Sequence, residues 1–256
     1  MQPRDLGARL VHVDVLRPET TDRSVRADWS AYATAYDLLS EHNPAYQALL
    51  HEFEAFLATI ETPQSIYDIG GGTGNYTEIA ARACPDSEIR LIEPDPHMIE
   101  AAQAKLAAHR NIIYDNRALE AVGASSTADL IVCVHALYAM PEQEQRLKDM
   151  RRLLSPGGWL YLVDLGRYMN VADWRSYLFS SLRKEQGLAG ALRVFWQGRE
   201  IATQNKAIYE AQKTGVYWTH SEAEIVSLVT ETGFEVIKHK PVYRGYSDLL
   251  VCRATA

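Results

Sequence analysis

The chain has 256 residues, 47% of them hydrophobic and 23% charged, which suits one α/β core with a helical addition. Its net charge of −7 and isoelectric point near 5.6 argue against a nucleic-acid substrate, because neutralisation of phosphate by lysine and arginine dominates that affinity. No run approaches the roughly 18 apolar residues of a membrane span, and charges interrupt the opening residues where a signal-peptide core would lie. The three cysteines (Cys84, Cys133, Cys252) are widely separated and read as buried thiols, so a reducing cytoplasm is expected.

Residues 1–27 stay unassigned: Leu10 to Val15 alternates like a strand, then Pro18 and a polar run follow. From Trp29 to Ile60 apolar residues recur at helical spacing, and Asn43-Pro44 divides the stretch into two helices. A strand over 65–69 leads into a glycine cluster and a helix from Tyr76 to Ala83. Strand Glu88 to Glu93, helix Pro96 to Ala108, strand Ile112 to Asp115, strand Ala128 to His135 and helix Glu142 to Leu154 come next. Ser155-Pro156-Gly157-Gly158 turns the chain into strand Trp159 to Asp164. Five strands alternating with helices predict a parallel sheet with right-handed crossovers. Residues 168–217 are helical in period, a cap inserted into a domain made of residues 28–167 and 218–256. A helix capped at Thr219 or Ser221 and ended by Gly233 precedes two strands, Phe234 to Tyr243 and Ser247 to Arg253, that form an antiparallel hairpin.

The strongest motif is Asp68-Ile69-Gly70-Gly71-Gly72-Thr73-Gly74, between a strand and a helix. Glycine there permits a tight turn and close approach of a ligand to backbone N–H groups. Ligands of open α/β sheets bind outside the carboxyl ends of the strands, and the second strand ends at Glu93, whose carboxylate suits two ribose hydroxyls. The dinucleotide pattern fails in both registers, since its third glycine would fall on Asn75 or Thr77. The lysine of a phosphate-binding loop is absent too, Asn75 standing after Gly74.

With its acidic residue and alternating glycines, this segment resembles class I S-adenosylmethionine-dependent methyltransferases of the small-molecule type, from about Trp29 to Arg253. Ile92-Glu93-Pro94-Asp95-Pro96-His97-Met98, Asp129 to Val134, Leu153 to Leu160 and Thr232-Gly233-Phe234 carry the same likeness. The resemblance implies a Rossmann-like, doubly wound, mostly parallel seven-stranded sheet and S-adenosyl-L-methionine as cofactor. It implies that Gly70 and Gly72 meet the methionine part, that Gly74 of the same loop also binds the cofactor, and that Asp68 orders the loop or meets the amino group. Glu93 would hold the ribose, Pro94 and Met98 would flank adenine, and Tyr32 and Tyr36 would cover the methionine carboxylate. Where many members carry an acidic residue after the third strand, this chain has Asn116-Arg117-Ala118. That leaves Arg117 and the Ala118 backbone at adenine, with Asp115 as a register-shifted substitute.

Methyl transfer from a sulfonium needs an in-line nucleophile and a dry site more than it needs a metal, and no metal-ligand motif is present. His135 ends the fourth strand and reads as a general base or a pocket wall; Tyr138 orients substrate or packs; Asp164 acts on substrate, or is a helix N-cap or a solvated strand end. The segment 168–217 holds eight aromatics and a local charge of +3, from seven basic and four acidic residues, which suits a planar or anionic small molecule. Trp196, Arg193 and Arg199 are its first pocket candidates. A homodimer, with no nucleic-acid or membrane partner, completes the expectation. Three other readings compete: a non-methyl reaction on the same cofactor, a nicotinamide-dependent oxidoreductase, and an interaction protein that keeps the loop as architecture.

Overall fold

The computed structural model describes residues 26–123 and 127–255, so the strand-like alternation at residues 10–15 lies outside the described residues. Helices α1 (Trp29–His42) and α2 (Pro44–Leu57) are divided where Asn43 caps α2, its side chain accepting from the N–H groups of Ala45 and Tyr46. The Rossmann-like body then alternates β1 (Ser65–Ile69), α3 (Asn75–Ala83), β2 (Glu88–Ile92), α4 (Pro96–Lys105) and β3 (Ile112–Asp115). It continues through β4 (Ala128–Val134), α5 (Gln143–Leu153) and β5 (Leu154–Leu165). Helices α6 (Val171–Gln197) and α7 (Arg199–Lys213) follow, then α8 (Glu222–Glu231), β6 (Phe234–Val242) and β7 (Ser247–Ala254).

The seven strands lie in the order β3-β2-β1-β4-β5-β7-β6, parallel except for β7, which runs antiparallel to both β5 and β6. Strand order reverses between β1 and β4, which opens a crevice at their carboxyl ends. Side chains alternate across the sheet. Ile66, Leu130, Val132, Tyr161 and Val163 enter the core shared with Tyr46, Phe53 and Tyr76. Tyr67, Ile131, Cys133, Leu160 and Leu162 enter the opposite core with Leu147, Met150, Ile225 and Val229. Burial on both faces explains why the central strands read as continuous apolar runs.

One feature differs from the pattern expected. The Ser155-Pro156-Gly157-Gly158 turn lies within β5 as a bulge: Ala128 pairs with Leu154 but Leu130 with Trp159, and Gly157 takes φ +71°. The segment 168–217 is one long helix broken at Gly187 (φ 73°, ψ 178°), then α7, which packs on α1. Among the described residues no helix is long and apolar enough to cross a membrane.

Candidate active site

At the carboxyl ends of β1, β2 and β4 lies a cavity of about 200 Å³, bounded by Gly70, Gly72, Glu93, Pro94, Met98 and His135, among others. The chain reaches it through three left-handed glycines, Gly70 (φ 68°), Gly72 (φ 55°) and Gly74 (φ 80°). Each has its own reason. A Cβ at Gly70 would collide with that of Ala136, whereas one at Gly72 would meet nothing nearer than Met98 Sδ at 3.9 Å. Gly74 faces away from the cavity: it precedes α3, and a Cβ there would lie 2.7 Å from Leu106 Cδ1. Gly72 thus keeps open a space that any side chain would fill, as a ligand cradle requires.

Glu93 ties the loop to the next strand. Its carboxylate accepts from the Gly72 N–H at 3.1 Å and the Asp95 N–H at 2.9 Å. Burial pushes its pKa up to about 7, against the pull of those two donors. Asp68 stands behind the loop, accepting from Thr77 Oγ1 at 2.6 Å, and burial raises it to about 6.

The cavity also brings together Tyr36, Arg117 and Ala118. Arg117 is turned back on Asp115, donating from Nε and Nη2 at 2.6 Å each. Both Asp115 oxygens are therefore engaged, and this holds its carboxyl below the usual range. Asp115 does not line the cavity, whereas Arg117 and Ala118 do, so it is not brought to the site as a substitute ligand for adenine. Asn116 instead donates to the Glu93 and Pro94 carbonyls, which stiffens the end of β2.

His135 lines the cavity with a left-handed backbone (φ 51°) and shares a 2.8 Å hydrogen bond with Ser247 Oγ. Burial lowers its pKa to about 4, so the ring is neutral at pH 7 and a weak proton acceptor. Tyr138 and Asp164 sit behind this wall. Asp164 is fully buried and accepts from the Tyr138 N–H at 3.0 Å, while the Tyr138 ring packs edge-on against Tyr217 at 5.4 Å. Tyr32 is buried and donates to Asn205 Oδ1 at 3.2 Å. Trp196 is 70% exposed at the end of α6 beneath the Arg199 guanidinium, and with Arg199 it borders a separate open hollow against α1, away from the cofactor cavity.

Sequence reasoning missed the clamp that seats α1 over the loop. Lys105 Nζ donates to Asp37 Oδ1 (2.9 Å), Asn75 Oδ1 (2.8 Å) and Thr73 Oγ1 (3.3 Å), and Thr73 Oγ1 donates to Asp37 at 2.6 Å. Ser30 adds a bond to Asp95 at 2.7 Å. Trp29 and Met140 also line the cavity, and neither carried a sequence signal. Elsewhere Glu222, His239 and Asp248 bring ligand atoms within 4.8 Å of one another, but Arg167 already pairs with both carboxylates.

Residues 40–239 match the family model of a methyltransferase domain. The chain belongs to that family. Its class is the S-adenosylmethionine-dependent methyltransferases of class I, and S-adenosyl-L-methionine is the cofactor. The ubiquinone/menaquinone biosynthesis C-methyltransferase of Bordetella parapertussis is 22% identical over 239 residues, covering 89% of this chain and 85% of that protein. A malonyl-[acyl-carrier protein] O-methyltransferase of Hahella chejuensis is 30% identical over 152 residues, 57% of this chain and 51% of its own length. The chain also aligns over 64% of its length, at 30% identity, with a highly reducing polyketide synthase of Emericella nidulans, and spans 7% of that protein. Among solved structures, the N-methyltransferase NodS of Bradyrhizobium japonicum with S-adenosyl-L-homocysteine superposes with TM-score 0.61 at 15% identity. The match covers 90% of this chain and all of NodS, a likeness of fold.

Proposed function

We propose that the methyltransferase acts on a small-molecule acceptor that reaches the methyl group beside His135, and that residues 168–217 form the cap over it. The observation that carries this reading is the buried Glu93 carboxylate, bound to the Gly72 N–H at the edge of a cavity that only a glycine leaves open. The bound cofactor supplies an electrophilic methyl on a positively charged sulfur. In this reading Glu93 holds the ribose hydroxyls, Gly70 and Gly72 line the methionine part, and Pro94, Met98 and the Ala118 backbone enclose adenine, with Arg117 at the rim. Tyr36 closes the methionine end from α1. Asp68, bonded to Thr77 and sealed behind the loop, and Gly74, in the turn before α3, order the loop. Tyr32, Tyr138 and Asp164 shape the wall from behind.

His135 serves as a neutral wall and hydrogen-bonding group in this scheme, because a ring with a pKa near 4 releases a captured proton readily. The relatives bear names of carbon, oxygen and nitrogen methyltransferases, so family membership leaves the acceptor atom to experiment. Calorimetry with S-adenosylhomocysteine should show Glu93→Ala weakening binding by roughly 1–3 kcal/mol, because it removes the acceptor for two ligand hydroxyls. Unchanged affinity would remove Glu93 from the site. Incubation with methyl-labelled cofactor and panels of small phenols, amines and carboxylates, read by mass, tests the acceptor class. Label found only on protein or nucleic acid would sink the small-molecule reading.

A further inference from the structure

We propose that the acceptor is an uncharged, mainly apolar molecule about one ring in size that docks in a second cavity beneath the cap, and that the Tyr243 ring, which stands between this cavity and the methyl donor, moves aside for the in-line transfer. The inference rests on the methyl-transfer reading above and adds the acceptor's place and chemistry. The second cavity, about 100 Å³, lies between α1, α6 and α7. Leu38, Trp174, Leu178, Leu182, Phe195 and Ile201 give it an apolar wall. Its polar groups are His42, Asn43 and Asn205, with the exposed Arg175 at the rim. Apolar walls with a few polar groups are the make-up of a small-molecule site. Interiors are otherwise close-packed, so apolar space beside a reaction centre calls for an occupant.

Three rings in series separate the two cavities, and Tyr243 is the middle one, lining neither. The Tyr243 ring lies 4.7 Å from His135, which lines the cofactor cavity, and 4.5 Å from Trp174, which lines the second one. Its hydroxyl accepts from Asn43 Nδ2 at 3.2 Å, and Asn43 also belongs to the second cavity. Beside it, Tyr36 bounds the cofactor cavity and meets Tyr32 edge-on at 5.2 Å, while Tyr32 donates to Asn205 on the far side.

The backbone marks the same spot. Tyr243 (φ 51°), Arg244 (φ 60°) and Gly245 (φ 83°) are left-handed in succession, and His135, in ring contact with Tyr243, is left-handed as well. Bulky residues adopt this conformation rarely, and it collects at functional sites. The turn is strapped to the cap: Arg244 donates to both Asp173 oxygens at 2.8 and 3.1 Å, and Tyr246 Oη reaches Asp173 at 2.8 Å. Asp173 directly precedes Trp174 on α6, so a shift of the cap carries the turn, and Tyr243 with it.

The test uses the full chain, with NMR titrations of two neutral probes, p-cresol and 4-phenylphenol, and calorimetry of S-adenosylhomocysteine on the same samples. Ala202→Trp, at an exposed rim position, fills the second cavity from α7 and should weaken p-cresol at least tenfold while leaving S-adenosylhomocysteine within twofold. Val194→Phe fills it from α6 and should do the same. Tyr243→Ala joins the two spaces and should strengthen 4-phenylphenol at least fivefold, whereas Tyr243→Phe, which keeps the ring, should stay within twofold. If wild type binds S-adenosylhomocysteine but neither filling variant changes p-cresol affinity, the inference falls and the methyl-transfer reading stands. Equal 4-phenylphenol affinity in all three Tyr243 forms removes the partition. A chain that binds no S-adenosylhomocysteine overturns both.

Discussion

The two sides of the reaction centre are built from different materials. The cofactor side is backbone and carboxylate: left-handed glycines, the Gly72 N–H, and Glu93 at the tip of β2. The cap side is aromatic and aliphatic, with Trp174 and Tyr243 in ring contact at 4.5 Å and Leu178, Leu182 and Phe195 around the second cavity. A nucleoside offers hydroxyls, an amino group and ring nitrogens that must be matched one by one, which fixes residue types at fixed spacings. An apolar acceptor is held by area and shape, which many residue combinations supply. The first side is therefore specified tightly and the second loosely, and the perturbations below separate them.

The largest effect is expected from Gly70→Val. It forces a β-branched residue to φ +68° and drives a methyl into Ala136, which should cost roughly 2–4 kcal/mol of stability and abolish S-adenosylhomocysteine binding. Gly72→Ala sharpens the contrast: its Cβ has room, so stability should fall by only about 1 kcal/mol, while the methyl enters the cradle and binding weakens tenfold or more. Chemical denaturation and calorimetry together read both numbers. Equal losses of stability in the two variants would show that Gly72 serves folding alone.

Glu93 gives the next effect, through pH. Burial raises its pKa from 4.5 to about 7, so the folded chain holds this proton more tightly than the unfolded chain does. The sign follows: its contribution to stability is greatest below pH 4.5, is lost as pH rises towards 7, and is flat above. The ligand-free protein should lose on the order of 3 kcal/mol by this route between pH 4.5 and 8. Cofactor affinity should move the other way, rising from pH 6 to 8 as the carboxylate ionises and can accept two hydroxyls. Glu93→Gln should flatten both slopes in thermal unfolding and calorimetry. Part of the stability slope should survive, because Asp68, raised to about 6, acts with the same sign. An unchanged pair of slopes would place the titration elsewhere.

Local order along the chain decides what could be read beforehand. The β1–glycine loop–α3 unit and the Glu93 tip depend on residues close together in sequence, as do the Asn43 and Ser221 caps, and these are legible from spacing. The clamp of Asp37 with Lys105 joins residues 68 apart, and the contact of His135 with Ser247 joins residues 112 apart, so no window along the chain shows them. Asp115 and Arg117 are only two apart, but whether such a pair faces a cavity or closes on itself depends on the bend after β3. The aromatics of the cap lie on helical segments divided at Gly187, and spacing does not tell which face inward, like Trp174, and which outward, like Trp196.

The clamp itself should matter less than the loop. Lys105→Met removes three hydrogen bonds, one of them to the carboxylate of Asp37, itself partly open to solvent. Solvent screening limits such a pair to about 1 kcal/mol, so S-adenosylhomocysteine affinity should fall several-fold with little change in the unfolding midpoint. Loss of fold in this variant would mean that α1 is part of the core and no adjustable cover.

The smallest effect is expected on the outer face of the cap. Trp196→Ser removes the largest exposed aromatic, whose one identified partner is Arg199 at 5.1 Å. An exposed cation–π pair is worth about 0.5–1 kcal/mol, so stability should change by less than 1 kcal/mol, and the affinities for S-adenosylhomocysteine and p-cresol should not move. Trp174, buried at 4% exposure against Tyr243, is the opposite case on the same helix, and Trp174→Ser should weaken p-cresol severely. If the two tryptophan variants behaved alike in the binding titrations, the division of the cap into an outer surface and an inner acceptor wall would be wrong. The exposure of Trp196 would then have to mark a second contact on the outside of α6.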